Sequence, residues 1–356
     1  MTPQSHNAVA VVVVGILLIG GALALWMAHE TDAPTADVVS AVPADAQVVM
    51  LAEMATIRRS SYESLFAGSN VPSVMPGAQT ECGRNLTRRV ETLALWAPAE
   101  PGASFGIAAR APVSEEAVWS CARSTIVARG GRPTSRAVEG FRVITDEALG
   151  PGSAQIAVRE PGLLLLGRPA TRSRMMDALA GRTASVGAGD HARMREALGR
   201  SADLMVTVIV SEGLRSRVSR WLGEPLPLLS AVPLLGAAAD LRSTTHLRVI
   251  VWCDSAHACR ELAGRLRAKR ERVLGSLAMR AVGLAALLED AQVEQQGSQL
   301  SVRLSAPAHR VLSLIDRLGA LREALEREPA PRLPRPPASV PDEIVRPDPA
   351  PAGSTP

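Results

Sequence analysis

VVMLAEMATIRRS at 48–60 and LMVTVIVSEGLRSR at 204–217 open two stretches of chain that read alike. Each begins with a short, unbroken apolar run, the mark of a strand buried on both faces, and turns within a few residues to helical spacing. Around the first, AQVVMLAEM (46–54) is the strand and IRRSSYESLFAG continues as a helix. A helix near Cys82 to Arg89 follows, then strands VETLALWAP and ASFGIAARAP, parted by the turn signal Ala-Glu-Pro-Gly. Ser114 is placed to N-cap the next helix, with Glu115 and Glu116 in its first turn. That helix ends at Gly130-Gly131. Strands FRVITD, AQIAVRE and LLLLGR come next, then a helix from near Thr171 and a short amphipathic helix over 189–200.

Around the second run, Ser211-Glu212 begins a helix with Leu214, Val218 and Leu222 on one stripe. A Pro/Leu-rich loop (224–236) leads to the hairpin AAADLRST and HLRVIVWCD. A long helical region over 255–290 carries Gly264, Gly275 and Gly283 as breaking signals. Strands DAQVEQQ and QLSVRLS meet at Gly297, and a last helix runs from Ala306 to Glu328. Strand pairs joined by tight turns predict an α+β fold whose sheet or sheets are largely antiparallel, with helices on one face. The recurring order predicts two similar halves, 45–200 and 201–328.

Outside these halves the chain changes character. Residues 8–28 (AVAVVVVGILLIGGALALWMA) hold no charge. As a helix they span roughly 31 Å, close to the hydrocarbon thickness of a bilayer. Two readings compete. A transmembrane signal-anchor leaves residues 1–7 as a cytoplasmic head and the body outside the cytoplasm. A cleaved signal peptide would use Ala22-Leu23-Ala24, but that site lies inside the run, and the head carries no Lys or Arg. The anchor reading puts the protein in the inner (cytoplasmic) membrane, single-pass, with a periplasmic body. Residues 29–44 read as a linker. Residues 329–356, with ten of the chain's 26 prolines, read as a disordered or polyproline-type tail.

The body, about 280 residues, is long enough for a real core. Only 3% of the chain is aromatic, so that core is aliphatic. Lys269 is the single lysine among 39 basic residues, and the net charge of +4 is spread along the chain. Nucleic-acid binding calls for a clustered basic patch with stacking aromatics, so nucleic acid is not an expected partner. The run Arg260 to Arg272 is the densest basic stretch. It reads either as a contact for anionic lipid or cell-wall polymer, or as a solvated helix face supported by Glu261–Arg265 at i,i+4.

All four cysteines lie beyond the apolar run. For an exported body, disulfides are the default, and four cysteines permit three pairings. The expected pairs are Cys82–Cys121, stapling two helices, and Cys253–Cys259, tying a strand end to the next helix. Free thiols are one alternative. A metal site from Cys253, Asp254, His257 and Cys259 is another, although its spacing fits zinc poorly.

The stretch from Val42 to Leu51 has the form V-P-A-D-A-x-V-V-x-L, and a helix with an Arg-Ser start follows it. In these features the chain resembles a loose class of uncharacterised exported, membrane-anchored bacterial proteins, over about residues 45–328. The resemblance implies export and a membrane anchor. It carries no catalytic residues that could be transferred to this chain.

Signatures of known chemistry are missing. There is no phosphate loop, no H-E-x-x-H, no G-x-S-x-G elbow, since GASFG at 102–106 leads into a strand and not a helix, and no Ser-x-x-Lys before Lys269. Asp190-His191 and Asp254/His257 are the nearest approaches to an acid–base pair. No catalytic, cofactor-binding or metal residue is therefore assigned, and no cofactor is expected. The expected function is a non-enzymatic, extracytoplasmic binding or assembly module that engages an envelope protein or cell-wall component. The alternative is a tethered hydrolase-type enzyme whose site no motif reveals. Val311, Leu314, Leu318, Leu321 and Leu325 follow 3-4 spacing over only two heptads, which leaves the oligomeric state open.

Overall fold

The computed structural model describes residues 35–63, 80–100, 103–199, 202–216 and 230–327. The apolar run 8–28 and the proline-rich stretch 329–356 lie outside the described residues. Among the described residues no helix is long and apolar enough to cross a membrane. The chain divides into a main unit ending at Ile315 and a smaller unit from Asp316 onward.

The elements alternate as the apolar pattern demands, the last helix alone running from the main unit into the smaller one. Helix α1 (Thr35–Ser40) precedes β1 (Ala46–Glu53) and α2 (Met54–Arg58). Then come α3 (Glu81–Thr87), β2 (Thr92–Pro98), β3 (Gly106–Arg110) and α4 (Glu115–Ala128). Strands β4 (Pro133–Val138), β5 (Phe141–Asp146), β6 (Gln155–Arg159) and β7 (Leu163–Gly167) follow, then α5 (Pro169–Leu179) and α6 (Gly189–Leu198). The second series is β8 (Leu204–Ile209), β9 (Leu234–Leu241), β10 (Thr244–Trp252), α7 (Ala256–Gly275), α8 (Leu277–Val282), α9 (Leu284–Leu288), β11 (Gln292–Gln296), β12 (Gln299–Pro307) and α10 (Ala308–Arg327).

Twelve strands form one antiparallel sheet in the order β11-β12-β10-β9-β8-β1-β2-β3-β7-β6-β5-β4. The two opening runs of the sequence, β1 and β8, pair with each other at its middle, Met50 opposite Val206. Outward from that seam the orders β1-β2-β3-β7-β6 and β8-β9-β10-β12-β11 match. Hairpin β4–β5 is an addition at the first end.

Successive residues of a strand point to opposite faces. Met50, Leu93, Ile107, Ala109, Leu164 and Leu204 enter one cluster, with Val118, Ala122 and Ile126 of α4. Their neighbours Val49, Ala94, Trp96, Ala108, Leu163 and Leu165 enter another, with Met175 and Met176 of α5. Met205, Leu234 and Ala238 pack with Met194 and Leu198 of α6. Helices thus cover both faces, which corrects the expectation of helices on one face. The physical reason is that β1, β2, β3 and β7 are apolar at both parities and need cover on both sides.

Two further differences concern burial. Part of the stretch read as a linker (29–44) belongs to the core, because Val38, Val39, Ala41 and Val42 are buried against the second cluster. Strand β4 has no counterpart in the sequence reading. Its residues are exposed or half-buried, with no apolar alternation to announce it. The long helical region is three helices, in keeping with two of its breaking signals: α7 ends at Gly275, Ser276 caps α8 and Gly283 is left-handed, while Gly264 lies inside α7 without a break.

The two edge strands are guarded in different ways. Strand β4 begins with Pro133 and carries polar, exposed side chains. At the other edge, Arg267 of α7 donates to the Val293 carbonyl of β11 at 3.1 Å, and Arg270 donates to those of Leu288, at 2.9 Å, and Glu289. The Val293 bond takes up one carbonyl of the edge strand itself and sets a charged side chain against it, which disfavours pairing by a foreign strand; Leu288 and Glu289 lie just before the strand. Much of the basic run is thereby accounted for, along with the expected Glu261–Arg265 pair.

Candidate functional site: an open polar sheet face

At the far end of the second series, the sheet has one dressed face and one open face. In β10, β12 and β11 the register sets Val251 opposite Leu300 and Val249 opposite Val302, which in turn faces Val293. Val251, Leu300 and Val293 pack with Cys253, Cys259 and Ala263 beneath α7. The intervening residues point the other way. On that side Ile250 is buried next to α6, but Arg248, Arg303, Gln292, Glu294 and Gln296 are exposed. The matching face of β3, β7 and β6 is apolar and covered by α5.

The open face is organised by a few contacts. Arg248 lies directly opposite Arg303. Arg303 pairs with Glu294 at 3.4 Å. Arg248 donates at 3.4 Å to the Leu198 carbonyl at the end of α6, where a helix terminus favours a cation. The Trp252 indole N–H donates to Gln299 Oε1 at 3.4 Å, and the Arg193 guanidinium sits 5.6 Å from the Trp252 ring centroid. Between these groups lies a recess of about 110 Å³ bordered by Arg248, Glu294, Gln296, Gln299, Ser301 and Arg303. Ser301 is 9% exposed, and its buried Oγ has no hydrogen-bond partner among the described residues.

The residues singled out in the sequence lie elsewhere. The sulfurs of Cys82 and Cys121 are 2.14 Å apart and those of Cys253 and Cys259 are 2.09 Å apart, so both expected pairs stand at disulfide distance. This takes Cys253 and Cys259 out of the alternative ligand set; Asp254 and His257 are exposed beside them. Among the described residues no cluster of three His, Cys, Asp or Glu side chains is arranged to hold a metal ion.

His191 is not half of an acid–base pair. It is 1% exposed, and Asp190 is engaged by Arg193 instead. Its Nε2–H donates to the Ala46 carbonyl at 2.8 Å, so Nδ1 accepts from the Thr207 hydroxyl at 2.6 Å. One neutral imidazole thus bolts α6 to both β1 and β8 across the central seam. Burial pushes its pKa below the ordinary histidine value, and Arg195 adds to the shift. The Ala46 hydrogen bond and Asp190 oppose it.

The unfolded chain therefore binds this proton first, and stability present above pH about 6.5 is lost as the pH falls below it. Thermal melts should show Tm declining from pH 6.5 towards 5, with a slope contribution of at most about 1.4 kcal/mol per pH unit. His191→Gln should remove that contribution. Equal slopes for the two proteins would overturn the assignment. Asp203, whose pKa burial raises, acts with the opposite sign and is common to both proteins.

The open face escaped motif reading because no motif spells it. The alternation in QVEQQ and QLSVRLS was the available signal that one side of these strands is polar. Which residues meet there is set by register alone. Comparison of the chain with protein-family models, with curated proteins and with solved structures found no match to any of them.

Proposed function

We propose that the protein is a non-enzymatic binding or assembly module of the cell envelope, held at the membrane by residues 8–28, and that it engages its partner through the open face of β10, β12 and β11. The observation that carries this reading is the contrast between equivalent surfaces. One end of the sheet buries this side under α5, while the other presents arginine, glutamate and glutamine side chains around a recess. Exposed polar strands need no such arrangement for stability, and a shallow, open, polar surface suits recognition of an extended partner.

The matching strand orders support a further part of the proposal. The two halves, 45–200 and 201–328, are versions of one unit, and the second has given up its helical cover to expose a binding surface. Export to an oxidising compartment is consistent with both cysteine pairs standing at disulfide distance.

Photocrosslinking in intact cells tests the reading. A crosslinking amino acid placed at Gln296 should capture one defined envelope component, and the same group at the exposed Leu149, far along the chain on the added hairpin side, should not. Identical capture from both positions, or turnover of a substrate abolished by a change at Arg248, would overturn it.

A further inference from the structure

Arg248 and Arg303 stand opposite each other on neighbouring strands and on the same face. Like charges so placed repel. The local charges do not cancel. Among the described residues, the ion pair made by these two arginines is Arg303–Glu294, and Arg248 turns to a main-chain carbonyl. Two guanidinium groups and one carboxylate leave one positive charge at the recess. Ser301 lies between Ile250 and Glu294 in the cross-strand register, at the floor of the recess. Its buried hydroxyl lacks the partner that such groups nearly always have.

We propose that the recess binds the carboxylate of an acidic sugar, a uronic-acid-type unit of a glycan; the inference rests on the open-face reading above. A single carboxylate balances the local charge and accepts from Arg248, Arg303 and the Ser301 hydroxyl. A phosphate dianion would bring a second negative charge to Glu294. The sugar hydroxyls meet the Gln296 and Gln299 amides, which donate and accept, and the Glu294 carboxylate, which accepts. A ligand carrying an ammonium group would instead set a third cation beside two guanidinium groups.

The test is isothermal titration calorimetry on the full chain in detergent micelles. D-glucuronate is the probe, with D-glucose, acetate and inorganic phosphate as comparisons. D-glucuronate should bind at least about tenfold more tightly than any of the three. Ser301→Ala deletes an unpaired hydroxyl from the free protein, so its Tm should equal or exceed that of the parent while D-glucuronate affinity falls about fivefold or more. Arg303→Gln should weaken binding further. D-glucose equal to D-glucuronate overturns the carboxylate, acetate equal to it overturns the sugar, and phosphate stronger than it overturns the charge argument. Unchanged affinity in Ser301→Ala overturns the site. If crosslinking from Gln296 succeeds while D-glucuronate shows no preference, the acidic-sugar inference falls and the binding-face reading stands.

Discussion

The Cys82→Ser, Cys121→Ser double variant should lose about 4 kcal/mol in denaturant unfolding relative to the oxidised parent. The pair is separated by 39 residues and joins α3 to α4. Helix α3 has no fully buried side chain, and the crosslink joins the packing of half-buried Leu86 in tying it to the body. Closing a loop of this length removes chain entropy from the unfolded state, and that entropy returns when the link is cut. The second pair spans only six residues, from the end of β10 into α7, and the same relation gives about 2 kcal/mol. Its removal also unpacks Cys253 and Cys259 from Ala263 and Leu300, which would narrow the difference. Unfolding curves for the two double variants, each beside the oxidised parent, check the order. A smaller loss for the long loop than for the short one would overturn the entropic account.

Gly162→Ala should be the most damaging glycine-to-alanine substitution among the described residues of the first half, at about 3–5 kcal/mol. Two independent costs meet at this residue. Its φ of +84° lies in the region L side chains avoid. An added Cβ would also stand 1.7 Å from the Ala111 carbonyl oxygen, a main-chain atom without a flexible end to swing aside. The turn between β6 and β7 would have to move away from the end of β3. That motion breaks the 2.9 Å bond from the Ala111 N–H to the Gly162 carbonyl. Gly140→Ala is the control, since its φ is +77° but nothing lies within 4 Å of an added Cβ. It should carry the conformational cost alone, about 1 kcal/mol. Similar losses at both positions, read from Tm or denaturant midpoint, would show that the close approach at Ala111 is relieved without cost.

Much of the architecture was legible because local chemistry and tertiary environment agree. The apolar runs at β1 and β8 lie at the sheet's centre, where strands are buried on both faces. Ser114 caps α4 through its side chain, accepting from the Ala117 N–H, as its position before two glutamates predicted. The α+β class and the antiparallel pairing follow from such segments. Cys253–Cys259 was readable for a related reason, since it joins β10 to the helix that follows it, whereas Cys82–Cys121 links two successive helices across two intervening strands.

Other features depended on distant neighbours. Strand β4 is polar because it is an edge, and nothing local marks an edge. Val38 and Val39 sit in a stretch that reads as spacer, yet the side of the sheet holding Trp96 and Leu165 needed cover there. His191 looks like a surface residue in GAGDHARMRE. It is buried because α6 packs across the seam and brings Ala46, 145 residues away, and Thr207, 16 residues on, to its two nitrogens.

By itself the sequence determined the α+β class, the antiparallel pairing and where many of the strands and helices begin, because these rest on periodicity, capping and short-range turns. Tertiary structure alone decided that helices cover both faces, that β1 and β8 form the seam, and that Arg248, Arg303, Glu294 and Ser301 share one open surface. The reason is register. Shifting a strand by one residue exchanges its two faces. Which side chains meet across a twelve-stranded sheet is therefore a property of the pairing, and no single strand contains it.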